Sequence, residues 1–174
     1  IADDVADAYR KALATDPTSA FGSVIAFNRA VTEECAALLR PNFVEAVIAP
    51  GFTEAALDIL REKKNVRLLT LDPAAPADEL DFKRVRGGFL VQDRMRPPTS
   101  DADWKVVTLR EPSDAERADL RFAWRAVAAV KSNAILIARD GATLGIGAGQ
   151  MSRVDSSRIA VMKARENGFD LAGS

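Results

Sequence analysis

Residues 44–51 read Val-Glu-Ala-Val-Ile-Ala-Pro-Gly, and this stretch decides the class of fold. The run from Val44 to Ile48 is mostly apolar and rich in Val and Ile, which is typical of a buried strand. Pro50-Gly51 then breaks the run, and a helical pattern follows from about Thr53 to Lys63. A strand that leads directly into a helix is the building unit of α/β folds.

The same unit is found on both sides of this stretch. Upstream, the apolar run Val24–Phe27 precedes a helix that Thr32 can cap and that reaches Leu39. Downstream, Val66–Leu69 gives a third apolar run, and a helix over Ala2–Leu13 precedes the first unit. Strands and helices in alternation predict parallel βαβ units, so we predict an α/β fold.

The second half of the chain is predicted to contain hairpins, loops and two capped helices. In chain order these elements are a surface loop at Asp72–Asp78, a strand or hairpin at Phe82–Val91, a second loop at Arg94–Asp103, a helix opened by the Ser113–Glu116 capping box and ending near Val130, a strand at Ala134–Ala138, a tight turn at Asp140-Gly141, and a last helix opened by Ser152–Asp155.

The composition limits the classes of partner. Lys and Arg total 24 against 25 Asp and Glu, so no net positive field attracts nucleic acid. The single cysteine, Cys35, has no partner for a disulfide within the chain and reads as inert core, and no apolar stretch approaches the roughly 20 residues that span a bilayer. We therefore predict a cytoplasmic protein that binds neither nucleic acid nor membrane.

The sequence has no histidine, which excludes a hydrolase with an imidazole base and a zinc site with a His ligand. We expect no transition metal. The chain starts at Ile1, and Asp170–Ser174 resembles a strand that enters a turn. On these grounds we expect a fragment of a longer domain.

The segment Gly145–Gly149 is the strongest local signal for a ligand. Glycines between a strand and a helix let main-chain N–H groups approach an anion at the helix start. The alternative is that they only permit close packing. Gln150 stands where a dinucleotide fingerprint needs its third glycine, so a nucleotide-dependent oxidoreductase is disfavoured.

Two further candidates each leave two interpretations. Lys131 and Asn133 lie where a helix meets a strand and can position a carbonyl group, or Asn133 can cap the helix while Lys131 stays solvated. Glu45 interrupts an apolar run, so it lies either at the wall of a pocket or on an edge strand that faces water. The loop Asp16–Gly22 can offer an aromatic wall to a planar ligand.

Taken together, five segments resemble the aminoimidazole carboxamide ribotide (AICAR) transformylase half of the bifunctional purine-biosynthesis enzyme in type, order and spacing. They are Asp16–Gly22, Phe43–Pro50, Gly87–Gln92, Val130–Ile135 and Gly145–Arg153. The resemblance covers nearly the whole chain and implies two cytidine-deaminase-like α/β lobes, here partial. The first lobe part would span about 1–103 and the second about 104–174, the cyclohydrolase domain being absent. The resemblance also implies a homodimer with active sites at the subunit interface.

The resemblance also implies a reaction and its residues. The amine of AICAR attacks the formyl carbon of 10-formyltetrahydrofolate in the pathway to IMP. Asn133 matches an active-site asparagine, with Lys131 as its catalytic neighbour. Glu45 and Arg153 match positions that bind the nucleotide. Phe21, Gly22 and Thr18 match positions that line the nucleotide and folate pocket, and the resemblance allows a monovalent cation near Ser132.

One departure bears on activity. The family uses a Lys-His pair to assist proton transfer, and this sequence has no histidine. We therefore expect the chain alone to be inactive or nearly so. The alternative function is a non-catalytic α/β module that binds a phosphorylated ligand through Gly145–Arg153.

Overall fold

The computed structural model describes residues 1–72, 74, 79–96 and 100–174. Within these ranges the chain forms five helices and seven strands. In chain order they are α1 (Val5–Thr15), β1 (Ser23–Ala26), α2 (Glu33–Leu39), β2 (Val44–Ala49), α3 (Glu54–Arg61), β3 (Arg67–Thr70), β4 (Leu80–Val85), β5 (Gly88–Asp93), α4 (Asp114–Val127), β6 (Ile135–Arg139), β7 (Ala142–Gly147) and α5 (Arg153–Glu166). The predicted loops at Asp72–Asp78 and Arg94–Asp103 lie partly outside the described residues.

The first half contains a parallel sheet in the order β1-β2-β3. Helices α2 and α3 connect its strands, as the sequence predicts. Val47 and Ala49 of β2 are buried in a core shared with α1, α2 and α3. The predicted parallel βαβ units are therefore confirmed.

Side-chain caps fix where the helices begin. Thr32 and Thr53 accept hydrogen bonds from the main-chain N–H groups of Cys35 and Ala56, at 3.4 and 3.2 Å, which confirms the two predicted starts. The first helix begins later than predicted, at Val5 instead of Ala2, because Asp4 accepts from Asp7 N and occupies the cap position.

Strands β4 and β5 form the predicted hairpin, which is antiparallel and pairs Leu80 with Asp93 at one end and Val85 with Gly88 at the other. Every residue of both strands is exposed. A two-stranded hairpin with no cover on either face is marginally stable in water. Its apolar residues therefore lie where another surface can cover them.

The second half begins with α4, whose predicted capping box is present. Ser113 accepts from Glu116 N at 3.2 Å, and the Glu116 carboxylate accepts from Ser113 N at 2.7 Å. The helix ends at Val127, earlier than the predicted Val130. Trp124 of this helix meets Trp104 edge-on, with ring centroids 6.0 Å apart. An open apolar cleft of about 620 Å³ lies beside the two rings.

Strands β6 and β7 form an antiparallel hairpin, with the predicted turn at Asp140 and Gly141, both at positive φ. Helix α5 packs along β7. The hydroxyl of Thr15, at the end of α1, lies 2.7 Å from the main-chain oxygen of Thr143 in β7, so the first helix also contacts this hairpin.

The last residues only partly follow the prediction. A turn at residues 172–173 is present, and Ser174 N donates to Leu171 O at 3.2 Å. The strand expected before that turn is not formed. Among the described residues, no helix combines the length and the apolar character needed to span a membrane.

Candidate functional site

Six of the seven predicted site residues lie in two groups. We call Phe21, Gly22 and Glu45 the sheet-end group, because they lie at the amino ends of the parallel strands β1 and β2. We call Lys131, Asn133 and Arg153 the junction group, because they lie where α4, β6, β7 and α5 meet. No hydrogen bond or ion pair within the described part of the chain joins the two groups directly.

In the sheet-end group, the aromatic wall is a pair of rings. Phe21 and Phe43 have centroids 4.9 Å apart and are tilted by 44°. Gly22 N donates to Phe43 O at 2.9 Å, and Gly22 has φ +74, a left-handed conformation that favours glycine. Phe21 is 78% exposed, so one side of its ring is free to stack on a planar ligand.

Glu45 lies beside these rings and is paired. Its carboxylate lies 2.6 Å from the guanidinium of Arg67, the first residue of β3, and its side chain remains 44% exposed. Strand β2 is central in the described sheet, so the edge-strand interpretation is wrong. An open cleft of about 420 Å³ has Phe43, Glu45, Lys64 and Arg67 in its wall. The structure thus places Glu45 at a cleft wall.

Sequence reasoning missed Arg67 and Phe43. The available signal was Arg67 itself, a cation inside the apolar run Val66–Leu69 that is one strand away from an acid in a similar run. A charge in a buried strand needs a partner. In the sheet, Ala46 is the residue opposite Arg67, so Glu45 lies one residue away from that paired position.

Thr18 is an exposed residue of the turn at 17–20. The loop is held by Asp16, which accepts from Ser19 N at 3.1 Å and from the Ser19 hydroxyl at 2.8 Å. No described contact brings Thr18 to either group.

In the junction group, Asn133 is fixed by the turn before α5. Its Nδ2 donates to the main-chain oxygens of Gln150 and Met151 at 3.0 and 3.1 Å, and its main-chain oxygen accepts from the Ser156 hydroxyl at 2.8 Å. The peptide bond between Ser132 and Asn133 is cis. Asn133 does not cap α4, whose C-cap is Ala128.

The amide geometry determines what Asn133 can offer a ligand. Both Nδ2 protons point to main-chain oxygens, so no amide donor remains for a carbonyl group. Oδ1 has no partner among the described residues. Asn133 is therefore suited to accept a hydrogen bond from an N–H group. The sequence had suggested that it positions a carbonyl group, which would need Asn133 as a donor.

Two cations lie close to Asn133 along the chain, since Lys131 precedes it by two residues and Arg153 follows its partner Met151 by two residues. Lys131 accepts a hydrogen bond from Gly149 N at 2.7 Å through its main-chain oxygen, and its exposed side chain passes over Gly149. Arg153 is the exposed first residue of α5, which Ser152 caps by accepting from Asp155 N at 3.0 Å. Neither charged head has a partner among the described residues. A free guanidinium at the positive end of a helix favours an anion.

The glycine-rich segment divides into two parts. Gly145 and Gly147 belong to β7, and their α-carbons press against α5, so a Cβ would lie 2.1 Å from Ala160 O or 1.9 Å from Ser156 O. For these two residues the anion-binding interpretation is wrong and close packing is the reason for glycine. Only Gly149, at φ +64, lies in the exposed turn before Arg153.

Neither a cysteine nucleophile nor a metal site finds support in the described part of the chain. Burial, reinforced by Asp4 and Glu34, raises the pKa of the Cys35 thiol to about 11, so this fully covered residue is core and not a nucleophile. Within the described ranges no three Cys, Asp or Glu side chains come together as metal ligands.

Comparison with known proteins supplies the context for these two groups. A family model described as AICARFT/IMPCHase bienzyme matches residues 1–163. The match includes both groups and every element from α1 to β7, and the α/β architecture agrees with it. The chain belongs to the AICARFT/IMPCHase bienzyme family of purine biosynthesis.

Proposed function

We propose that this chain supplies part of the site at which AICAR takes a formyl group from 10-formyltetrahydrofolate. The exocyclic amine nitrogen forms a bond to the formyl carbon, and the bond from that carbon to N10 of the folate breaks. The proton lost by the amine is balanced by the one that N10 gains. The products are formyl-AICAR and tetrahydrofolate.

The observation that carries the proposal is that Asn133 Nδ2 is held by two main-chain oxygens, while Oδ1 has no partner among the described residues. An acceptor held rigidly by its own Nδ2 can take a hydrogen bond from the amine and orient its lone pair toward the formyl carbon. Lys131, beside Asn133, is suited to stabilise charge on the formyl oxygen. Arg153 and the start of α5 suit the phosphate of the nucleotide.

The sheet-end group suits the remaining parts of the ligands. The exposed ring of Phe21 stacks on a planar heterocycle, and Gly22 lets the ligand approach the main chain. Glu45 can accept from the hydroxyl or amide N–H groups of AICAR once it leaves Arg67. Thr18 remains a proposed pocket residue on the strength of the family resemblance alone.

Proton transfer is the step for which these residues lack a group. The family resemblance assigns it to a Lys-His pair, and this sequence has no histidine. We therefore propose that the chain by itself binds AICAR but transfers formyl groups very slowly or not at all. The proposal includes a cytoplasmic location, a monovalent cation near Ser132, and two lobe parts that meet near residue 103.

We propose a homodimer, with the β4–β5 hairpin as part of the surface between copies. Residues directly opposite in an antiparallel pair point to one face, so Leu80, Phe82, Phe89 and Val91 share a face. All four are exposed. Arg84 and Asp93 lie at opposite ends of that face, so a two-fold axis through its centre would bring the Arg84 of one copy near the Asp93 of the other.

The dimer is tested by sedimentation at several protein concentrations. The unchanged chain should sediment as a dimer at micromolar concentration, and Phe82→Asp should sediment as a monomer with the same helix content. Arg84→Asp should weaken the dimer, and Arg84→Asp combined with Asp93→Arg should restore it. A chain that is monomeric at all concentrations would contradict this part of the proposal.

The central test is isothermal titration of the chain with AICAR. Arg153→Ala and Asn133→Ala should each weaken binding by about tenfold or more, as expected for the loss of a charge-assisted or buried hydrogen bond. Arg158→Ala is the matched control, since Arg158 is an exposed residue of the same helix and, among the described residues, pairs only with Asp155, at 3.6 Å. Equal effects of all three substitutions would sink the proposed site.

The second candidate is the phosphate-binding module without chemistry. It is favoured by one observation, namely that Arg153 is the first residue of α5, where the helix end suits an anion without any sheet-end residue. Glu45→Gln separates the two candidates. It should weaken AICAR binding under the transformylase proposal and leave binding unchanged if the module recognises the phosphate alone.

A further inference from the structure

Two neighbouring serines near the start of α5 use their hydroxyl groups differently. Ser157 donates to the main-chain oxygen of Arg153 at 3.0 Å, four residues back in the same helix, which is a common bond for a helical serine. Ser156 instead donates at 2.8 Å to the main-chain oxygen of Asn133, which lies outside the helix and 23 residues earlier. The hydroxyl of Ser156 therefore acts outside its own helix, on a residue of the junction group.

Close packing holds the main chain of Ser156 in place. The α-carbon of Gly147 lies so near that an added Cβ would be 1.9 Å from the main-chain oxygen of Ser156. Gly147, the last residue of β7, pairs in turn with Ile135, the first residue of β6 and the second after Asn133. Ser156 is fully buried at this point. Its hydroxyl is therefore carried by main chain that has little room to move.

The main-chain oxygen of Asn133 accepts two hydrogen bonds, one from the Ser156 hydroxyl and one from Gln150 N at 3.2 Å. Asn133 N donates to Gln150 O at 3.1 Å, and Asn133 Nδ2 donates to the same oxygen at 3.0 Å. The bonds with Gln150 fix Asn133 relative to the turn before α5, and the bond from Ser156 fixes it relative to the helix itself. If the hydroxyl is removed, Asn133 O keeps its bond from Gln150 N, so no carbonyl group is left without a partner.

We infer that Ser156 is a positioning residue that sets where Asn133 Oδ1 meets the amine of AICAR. This inference rests on the proposed function, in which Oδ1 accepts a hydrogen bond from that amine. Because Ser156 is fully buried, it acts through Asn133 and does not touch the ligand. A hydrogen bond weakens steeply when its angle is poor, so a loosened Asn133 loses the contact with the amine and leaves the rest of the nucleotide bound as before.

Hydrogen exchange tests the positioning role without any ligand. Ser156→Ala should speed exchange of the main-chain amides of Asn133 and Gln150 by about tenfold relative to the amides within β6 and β7. Ser157→Ala is the matched control, since it removes the hydroxyl of the next residue, whose bond to Arg153 O stays inside the helix, and it should leave both amides unchanged. Exchange at 133 and 150 that is unchanged in Ser156→Ala, or raised equally throughout the hairpin, overturns the proposal.

Titration with two ligands tests the consequence for binding. Ser156→Ala should weaken the binding of AICAR by about fivefold and leave unchanged the binding of the same ribotide without its exocyclic amine, because only AICAR offers Oδ1 that N–H group. Ser156→Cys, whose thiol is a weaker donor, should bind AICAR with an affinity between those of the unchanged chain and Ser156→Ala. Equal weakening of both ligands overturns the positioning role.

The unchanged chain separates failure of this inference from failure of the proposed function. If it binds neither ligand, or binds both with equal affinity, the proposed contact between Asn133 and the amine fails. The exchange measurement alone then decides whether Ser156 positions Asn133.

Discussion

A methyl group placed on the α-carbon of Gly147 would lie 1.9 Å from the main-chain oxygen of Ser156. The obstacle is helix backbone, which cannot turn aside as a flexible side chain would. The same holds for Gly145 and Ala160, at 2.1 Å. Strand β7 and helix α5 are therefore in contact through their main chains.

Gly147→Ala should lower the free energy of unfolding by more than about 3 kcal/mol, because α5 must move away from β7. Urea unfolding followed by circular dichroism measures it. Gly88→Ala is the matched control, since nothing lies within 4 Å of its added methyl group, and it should change stability by less than about 1 kcal/mol. Equal stability of the two variants would contradict the close packing.

Lys63→Met should lower the free energy of unfolding by about 1–3 kcal/mol. Lys63 Nζ donates to the main-chain oxygens of Arg40 and Asn42, both at 2.7 Å, and so satisfies carbonyl groups after the end of α2. Lys64→Met changes a neighbouring lysine that makes no such contact with the residues the structure describes, and it should be nearly neutral. A thermal unfolding curve for each variant compares them, and coincident curves would count against the capping role.

Glu116→Gln should remove part of the acid sensitivity of the fold. The hydrogen bond from Arg110, followed by that from Ser113 N, lowers the pKa of Glu116 to about 2. A carboxyl group with a lowered pKa stabilises the fold above its unfolded value of about 4.3, and that contribution is lost as the pH falls through the folded value. Stability should thus fall less between pH 5 and pH 2 in the variant. Parallel pH profiles for the two chains would refute the assignment.

The Cys35 thiol should react with a disulfide reagent at pH 8 at least about a hundredfold more slowly in the folded chain than in urea, since its raised pKa leaves almost no thiolate. The thiol is also fully covered. A control chain with Cys35→Ala and Ser174→Cys carries one exposed thiol and should react equally fast in both conditions. Rapid labelling of the folded native chain would show that the core opens easily.

Arg67→Met should tighten AICAR binding by up to about fivefold, because Glu45 then gives up no ion pair when it turns to the ligand. The gain in affinity is limited because an exposed ion pair contributes only a small free energy. Glu45→Gln in the same background should abolish the gain. A weaker complex in Arg67→Met would instead mean that Arg67 itself binds the nucleotide.

Local signals predicted much of the fold. Thr32, Thr53 and Ser113 mark helix starts because a cap depends only on residues a few positions away. The β4–β5 hairpin and the turn at Asp140 were predicted on similar grounds. Burial was harder to predict. Val24 was expected in a buried strand, but it is 66% exposed because β1 lies at the edge of the described sheet.

The details of the candidate site were harder to predict, because they depend on contacts between residues that are far apart in the sequence. Glycines at 145 and 147 suit both an anion loop and close packing, and the choice depends on where α5 lies. Asn133 was identified as a polar residue at a junction, but its hydrogen-bonding polarity follows from Gln150 and Met151, which come 17 and 18 residues later. Long-range geometry of this kind is fixed by packing and not by local pattern.

The chain carries two tryptophans and one tyrosine, and they report on different regions. Trp104 and Trp124 form the edge-on pair beside α4, whereas Tyr9 is buried in the core of the parallel sheet, where its hydroxyl accepts from Asn42. Intrinsic tryptophan emission is therefore a local probe of α4, and tyrosine absorbance follows the parallel sheet. If the two signals change at different denaturant concentrations, the two halves of the chain unfold as separate cooperative units.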